Sequence, residues 1–149
     1  MNEDAVTDNI TSTFDGIDTV VSSGSTFFFY NPISDTPPDH NFPIVTLVTS
    51  DIYDQFSNLD RPQVYRLNVG ISKATFQSLF GTRQTGDDVG KGYDFTALDQ
   101  VMPHPVYGRM YWVCVLNPSQ ETFNSVVKPL LAEAYEMAVS KKAKRTVRK

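Results

Sequence analysis

The 149-residue sequence is poor in the side chains that build disulfides and metal sites, since it holds one cysteine and two histidines. The single cysteine, Cys114, excludes a disulfide framework, and so few soft ligands make a structural zinc site unexpected. No apolar run approaches the length that crosses a bilayer, and no basic and then apolar leader opens the chain. We therefore expect a soluble cytoplasmic protein with no membrane partner.

The sequence also lacks the short motifs that mark common chemistries. No Gly-x-Ser-x-Gly elbow, phosphate-binding glycine loop or dinucleotide fingerprint occurs, so we expect no cofactor. Four aspartates suggest a divalent metal, but their spacing matches no calcium loop, and a solvated acidic surface is the expectation. These residues are Asp87, Asp88, Asp94 and Asp99.

Charge is unevenly distributed along the chain, although the net value is only −4. Residues 141–149 hold six of the 13 Lys and Arg side chains and no acid. Residues 1–140 therefore carry seven bases against all 17 acids, a net charge of −10. This pattern predicts a single acidic domain over residues 1–140, followed by a basic C-terminal segment over residues 141–149.

The apolar pattern predicts an α+β fold. A hydrophobic content of 40% with many aromatic residues is typical of a folded domain. The spacing of the apolar residues gives the order α-β-β-β-β-α-β-α, in which strands follow one another. That order favours a mainly antiparallel sheet with helices packed on one face. The expected strands span residues 17–21, 26–30, 44–49, 64–69 and 111–116, and the main helices span 2–16, 73–80 and 119–138.

Two features refine this expectation. The continuous apolar run Tyr111–Leu116 is typical of a strand that is covered on both faces. Pro129 lies inside the closing helix, where a missing donor and a clash with the preceding turn predict a kink.

Three segments together resemble a family of short bacterial proteins of unknown function. The resemblance covers the chain from about Thr26 to Ala138, and it implies no activity. Its segments are Tyr65–Ile71, Pro103–Gly108 and Trp112–Pro118.

A second set of segments is similar, in its order, to the MmcQ/YjbR-like proteins. That similarity implies a compact α+β fold with a frataxin-like arrangement and a DNA-binding role. Its segments are Leu67–Val69, Phe76–Phe80, His104–Tyr107, Trp112-Val113 and Ala134-Tyr135.

Five residues are candidates for binding a small anionic ligand. Arg66 and Asn68 share one face of a strand, where a guanidinium beside a carboxamide suits a carboxylate or a phosphate. His104 and Tyr107 lie in a proline-bracketed loop, which suits a general base or a ligand hydrogen bond. Arg61, at a turn beside Asp60, is the fifth candidate. The alternatives are a solvent-facing strand surface, a histidine bonded to a backbone carbonyl, and a purely structural turn.

The basic segment is a candidate nucleic-acid contact, because clustered cations neutralise phosphates. The alternatives are stabilisation of a helix C-terminus and simple solubility, and the acidic domain disfavours duplex binding. The residues are Lys141, Lys142, Lys144, Arg145, Arg148 and Lys149.

Taken together, the sequence predicts a non-catalytic domain that binds a small ligand or a protein. Two other functions stay open: a DNA-binding protein of the MmcQ/YjbR type, and a small-molecule enzyme that uses His104 and Tyr107.

Overall fold

The structure is a computed structural model, and it describes residues 1–32, 42–82 and 90–147, with side chains to residue 144. The helices are α1 (Glu3–Thr13), α2 (Lys73–Phe80) and α3, which comprises Gln120–Thr122, Phe123–Val127 and Lys128–Val147. The strands are β1 (Ile17–Ser22), β2 (Ser25–Tyr30), β3 (Val45–Val48), β4 (Arg66–Gly70), β5 (Met102–Pro103) and β6 (Trp112–Leu116).

Side-chain caps set where the helices begin. The Asn2 side chain accepts a hydrogen bond from the Ala5 amide at the start of α1. Ser72 and Ser119 accept in the same way at the starts of α2 and α3. Each cap satisfies an amide that has no partner in the first turn, which is why these polar residues precede helical spacing.

Pro129 is accommodated by a change of helix type. The five residues Phe123–Val127 form a π-helical turn, and α-helical geometry resumes at Lys128. Pro129 supplies no amide and its ring crowds the preceding turn, which accounts for this wider turn. The predicted kink of the helix axis stays a prediction. The helix then continues to Val147, and residues 141–147 of the basic segment therefore belong to α3.

All six strands form one antiparallel sheet with the order β1-β2-β3-β4-β6-β5. The β1–β2 hairpin turns through Ser23 and Gly24, which both have positive φ angles, 53° and 80°. Such a turn matches the natural twist of the two strands. The predicted α+β class with a mainly antiparallel sheet is confirmed.

One side of the sheet, here the helix face, carries the main core. Leu67 and Val69 of β4 are fully buried there with Val113 and Val115 of β6. Residues of all three helices pack on them, so the prediction that helices cover one face holds. The helical residues are Val6, Ile10, Phe76, Phe123, Val127, Leu130, Leu131 and Ala134.

The opposite side, here the loop face, is covered by connecting segments. Cys114 and Leu116 of β6 are buried there against Leu59 of the β3–β4 loop. The strand is thus covered on both faces, as predicted. It begins at Trp112 because Tyr111 lies in the left-handed region with a φ of 65°. The alternative of a solvent-facing surface beside Arg66 is wrong, because loops bury that face.

Trp112 supports the loop face by covering β4. A β-carbon at Gly70 would lie 2.9 Å from Cε2 of the half-buried Trp112 indole, so only glycine fits beneath it. We expect Trp112→Ala to lower the free energy of unfolding by about 3 kcal/mol, the low end for a large aromatic truncation. Urea denaturation measures the loss, with Leu79→Ala at an exposed position as the control. A loss below about 1 kcal/mol would contradict this packing.

Candidate functional site

The most distinctive polar group in the molecule is the guanidinium of Arg66, at the start of β4 on the loop face. Its side chain is 1% exposed. Nη1 and Nη2 donate to Oδ1 and Oδ2 of Asp54 at 3.0 and 2.6 Å, which is a bidentate ion pair. Asp54 comes from the β3–β4 loop, so this loop folds back across the sheet to reach Arg66. Burial alone raises the pKa of Asp54, but the hydrogen bonds and charge of Arg66 outweigh it and hold the pKa below its ordinary value.

Two of the remaining donors of Arg66 are also satisfied by side chains. Nε donates to Oδ1 of Asn68 and Nη1 donates to the Ser57 hydroxyl, both at 3.0 Å. Asn68 in turn donates from Nδ2 to the Thr46 hydroxyl at 2.9 Å. A buried charge is tolerated when it is paired and hydrogen-bonded in this way. We call Thr46, Asp54, Ser57, Arg66, Asn68 and His104 the Arg66 cluster.

His104 reaches the same cluster from the loop after β5 and is 2% exposed. Its Nδ1 accepts from the amides of Val106 and Tyr107 at 3.0 and 2.9 Å. Nδ1 is therefore unprotonated, and the proton of the neutral ring lies on Nε2, 3.5 Å from Nη2 of Arg66. Burial, and then the charge of Arg66, lower the pKa of His104 to about 3. The ring thus bonds backbone amides, whereas the structural alternative was a backbone carbonyl.

The other two candidate ligand residues behave differently. The ring of Tyr107 lies 5.0 Å from the ring of His104, at the solvent side of the cluster. Arg61 lies outside the cluster and donates to the carbonyl oxygens of Asn58, Ser57 and Thr96. Arg61 therefore ties the β3–β4 loop to the segment before β5. The structure thus brings together four of the five sequence candidates.

Asp54 and Ser57 were not among the sequence candidates, although they contact Arg66 directly. They lie in a polar, turn-rich loop without periodicity, so no spacing rule selects them. A signal did exist: a buried arginine requires a carboxylate, and the preceding loop holds several aspartates. Two of these close the loop on itself, since Asp51 accepts from the Leu59 amide and Asp60 accepts from the Asp51 amide.

The aspartates considered for a metal serve local roles where they are described. Asp94 accepts from the amide and hydroxyl of Thr96, and Asp99 accepts from the Ser119 amide. Asp87 and Asp88 lie outside the described residues. Within residues 1–32, 42–82 and 90–147, no three His, Cys, Asp or Glu side chains group so as to hold a metal ion.

The basic residues lie far along α3. Lys141, Lys142 and Lys144 are in its last turns, and Arg145 is in the helix with its side chain undescribed. Arg148 and Lys149 lie outside the described residues. None of the helices in the described ranges is both long and apolar enough to pass through a membrane.

Together, the fold and the site define the class of protein. It is an α+β protein whose antiparallel sheet is covered by helices on one face and by loops on the other, and the loop face contains a buried ion pair. The chain belongs to the family of unknown function DUF6194, whose model matches residues 1–147. The expected membership of a family without an assigned function is thereby confirmed. No curated protein and no solved structure matches the chain. The similarity to MmcQ/YjbR-like proteins stays a prediction.

The buried Arg66–Asp54 ion pair leads us to predict a large loss of stability when one partner is removed. Asp54→Ala leaves a buried guanidinium without its counter-charge, and we expect it to cost about 3 kcal/mol of unfolding free energy. The double variant Asp54→Ala/Arg66→Met removes both charges and is expected to be more stable than Asp54→Ala alone. Chemical denaturation of all four proteins in the cycle measures the coupling. Asp8→Ala, at an exposed helical position, is the control, and simple additivity of the two substitutions would refute the pairing.

The environment of His104 predicts how the stability of the fold depends on pH. Its pKa of about 3 in the folded protein lies below the ordinary value of 6.5, so between these values the unfolded chain binds more protons. Stability should therefore fall as the pH drops below 6.5, with a limiting slope of about 1.4 kcal/mol per pH unit. Asp54 adds a loss in the same direction only below its ordinary value of 3.8.

The matched variant is His104→Asn, whose side-chain oxygen still accepts the two loop amides but does not titrate. Denaturation midpoints measured from about pH 7.5 to about pH 4.5 isolate the histidine from Asp54. We expect the variant to show a flatter profile than the wild type over this range. Equal slopes in both proteins would show that His104 is not held neutral by the fold.

Proposed function

We propose that this protein is a non-catalytic, protein-binding domain whose contact surface is formed by loops beside the Arg66 cluster. The observation that carries the proposal is the placement of exposed apolar side chains. Of twelve large hydrophobic residues exposed in the described ranges, seven lie in the segments 52–56 and 98–110. These are Ile52, Tyr53, Phe56, Leu98, Val106, Tyr107 and Met110, and we call them the loop surface.

Within a few residues of the β3–β4 loop, a charged side chain faces the interior and apolar side chains are exposed to solvent. Asp54 turns inward to the Arg66 guanidinium, while Tyr53 and Phe56 on either side of it are more than half exposed. The buried ion pair therefore fixes the backbone from which the two rings project. A surface held in its binding conformation loses less entropy when a partner docks.

The second loop is fixed by the same cluster. His104 holds the amides of Val106 and Tyr107, and the side chains of these residues and of Met110 are exposed. One guanidinium thus touches groups from both loops, Asp54 of the first and His104 of the second.

Two aromatic rings of the loop surface pack edge-on against other aromatic rings. The ring of Tyr53 meets the ring of Phe27 edge-on at 6.0 Å, and the ring of Phe56 meets that of Phe95 at 6.3 Å. Exposed aromatic rings with restricted motion are typical of the residues that dominate protein–protein affinity.

The charges near these rings favour a basic partner. The slightly longer segments 51–61 and 94–110 hold the exposed carboxylates of Asp60, Asp94 and Asp99 and the half-buried carboxylate of Asp51. These segments hold two cations, Arg61, which donates to backbone carbonyls, and the exposed Arg109, so carboxylates outnumber cations. A partner that presents apolar side chains flanked by Lys or Arg therefore matches the surface in hydrophobicity and in charge.

The other functions receive less support from the geometry. A small anion would compete with Asp54 for Arg66, and a general base at residue 104 would need the lone pair that already accepts two amides. The Cys114 thiol is buried, and burial raises its pKa to about 12, so it is a poor nucleophile. Acidic residues beside the rings disfavour nucleic acid at this surface.

A displayed peptide library selected on the wild-type protein tests the proposal. We expect enriched sequences that combine aromatic or aliphatic anchors with Lys or Arg, and dissociation constants that rise with salt. Phe56→Ser and Tyr107→Ser should each weaken the binding of a selected peptide by about tenfold or more. Leu79→Ser and Met137→Ser, at exposed positions elsewhere, should leave it unchanged.

Circular dichroism of each variant verifies that the fold is retained. Peptides whose binding ignores the loop substitutions would overturn the proposal, and so would a library that yields no specific binder. A melting-temperature increase with one class of small anion, lost in Arg66→Met, would instead favour a ligand-binding domain.

A further inference from the structure

The two edges of the sheet differ in how they are protected against pairing with another chain. The β5 edge is two residues long and ends in Pro103, and both features are typical of blunted edges. The β1 edge is six residues long, contains no proline or lysine, and is rich in β-branched residues. Val20 and Val21 are exposed there. Among the residues that the structure describes, only the β1 edge therefore presents a strand suited to further pairing.

The hairpin register shows which backbone groups of β1 point outward. Ser22 pairs with Ser25 next to the turn, and the Asn31 amide donates to the Gly16 carbonyl at 2.8 Å at the other end of the hairpin. Even-numbered residues of β1 therefore bond β2, because hydrogen-bonded and non-hydrogen-bonded pairs alternate along an antiparallel ladder. The amides and carbonyls of Ile17, Thr19 and Val21 point away, and in the described part of the chain no backbone group bonds them.

We propose that β1 pairs antiparallel with β1 of a second copy of this chain, which joins two six-stranded sheets into one continuous sheet. With Thr19 opposite Thr19 of the second copy, Ile17 lies opposite Val21 in both directions. These three residue pairs each exchange two backbone hydrogen bonds, so every outward group of β1 is used. The register also buries β-branched side chains against one another, which stabilises neighbouring strands.

The charge distribution of β1 permits a second copy at this edge, because the self-pairing register opposes no like charges. The chain carries a net charge of −4, and contact between two copies must avoid opposing like charges. Asp18 is the one ionisable residue of β1, and its carboxylate accepts from Nδ2 of Asn31 at 3.1 Å. In the proposed register each Asp18 lies opposite Val20 of the second copy, so the two carboxylates are kept apart.

Sedimentation velocity of the full chain over a wide concentration range tests this pairing. We expect the wild type to form a dimer. Thr19→Lys sets two cations opposite each other at the two-fold axis, and we expect it to raise the dissociation constant of the dimer by about tenfold or more. Thr19→Pro removes an outward amide that β2 does not use and should have the same effect. Thr13→Lys, at an exposed position in α1, is the matched control and should leave the dimer intact.

Amide hydrogen exchange followed by NMR separates this interface from any other. In the wild-type dimer, the amides of Ile17, Thr19 and Val21 should be protected, and in Thr19→Lys they should exchange quickly. The amides of Val20 and Ser22, which bond β2, should stay protected in both proteins. A wild type that is monomeric at all concentrations would overturn the inference. A dimer that survives both Thr19 substitutions would overturn it as well.

Discussion

The ion pair between Arg66 and Asp54 organises the side of the sheet that the helices do not cover. A guanidinium that is 1% exposed needs a counter-charge and a full set of acceptors, and only the β3–β4 loop supplies the carboxylate. Folding this loop across the sheet also buries Leu59 against Cys114 and Leu116, so the polar and apolar contacts form together. The loop face is therefore assembled around one charge, whereas the helix face is assembled by the burial of apolar stripes.

The difference between the two faces explains how much could be predicted. The helix face follows from periodicity, because the spacing of Val6 and Ile10 and the alternation of Leu67 and Val69 each place apolar residues on one side. Capping residues likewise place helix starts at Ser72 and Ser119. The loop face is decided by long-range hydrogen bonds, and no local rule connects Asp54 with a residue twelve positions later.

The same limit applied to the candidate site. Arg66, Asn68 and His104 stand out as polar residues in or beside apolar strands, which is why the sequence pointed to them. Their convergence depends on β4 and β6 being neighbours and on β5 lying beyond β6, which is a property of the topology. That the side chains of these residues bond one another in the interior could not be foreseen either. For this reason the proposed function is assigned to the exposed side chains of the neighbouring loops and not to the buried cluster. That division separates a buried polar interior from the proposed contact surface, an arrangement that is common in recognition domains.

Amide hydrogen exchange in Arg66→Met tests most directly the claim that the buried Arg66 side chain supports both loops, the first through its ion pair with Asp54 and the second through its packing contact with His104. The indicator amides are Leu59 in the first loop and Val106 and Tyr107 in the second. The account predicts that all three exchange faster than in the wild type by about tenfold or more, while the amides of Val69 and Val113 in the sheet keep their protection. Unchanged exchange in either loop would contradict the claim.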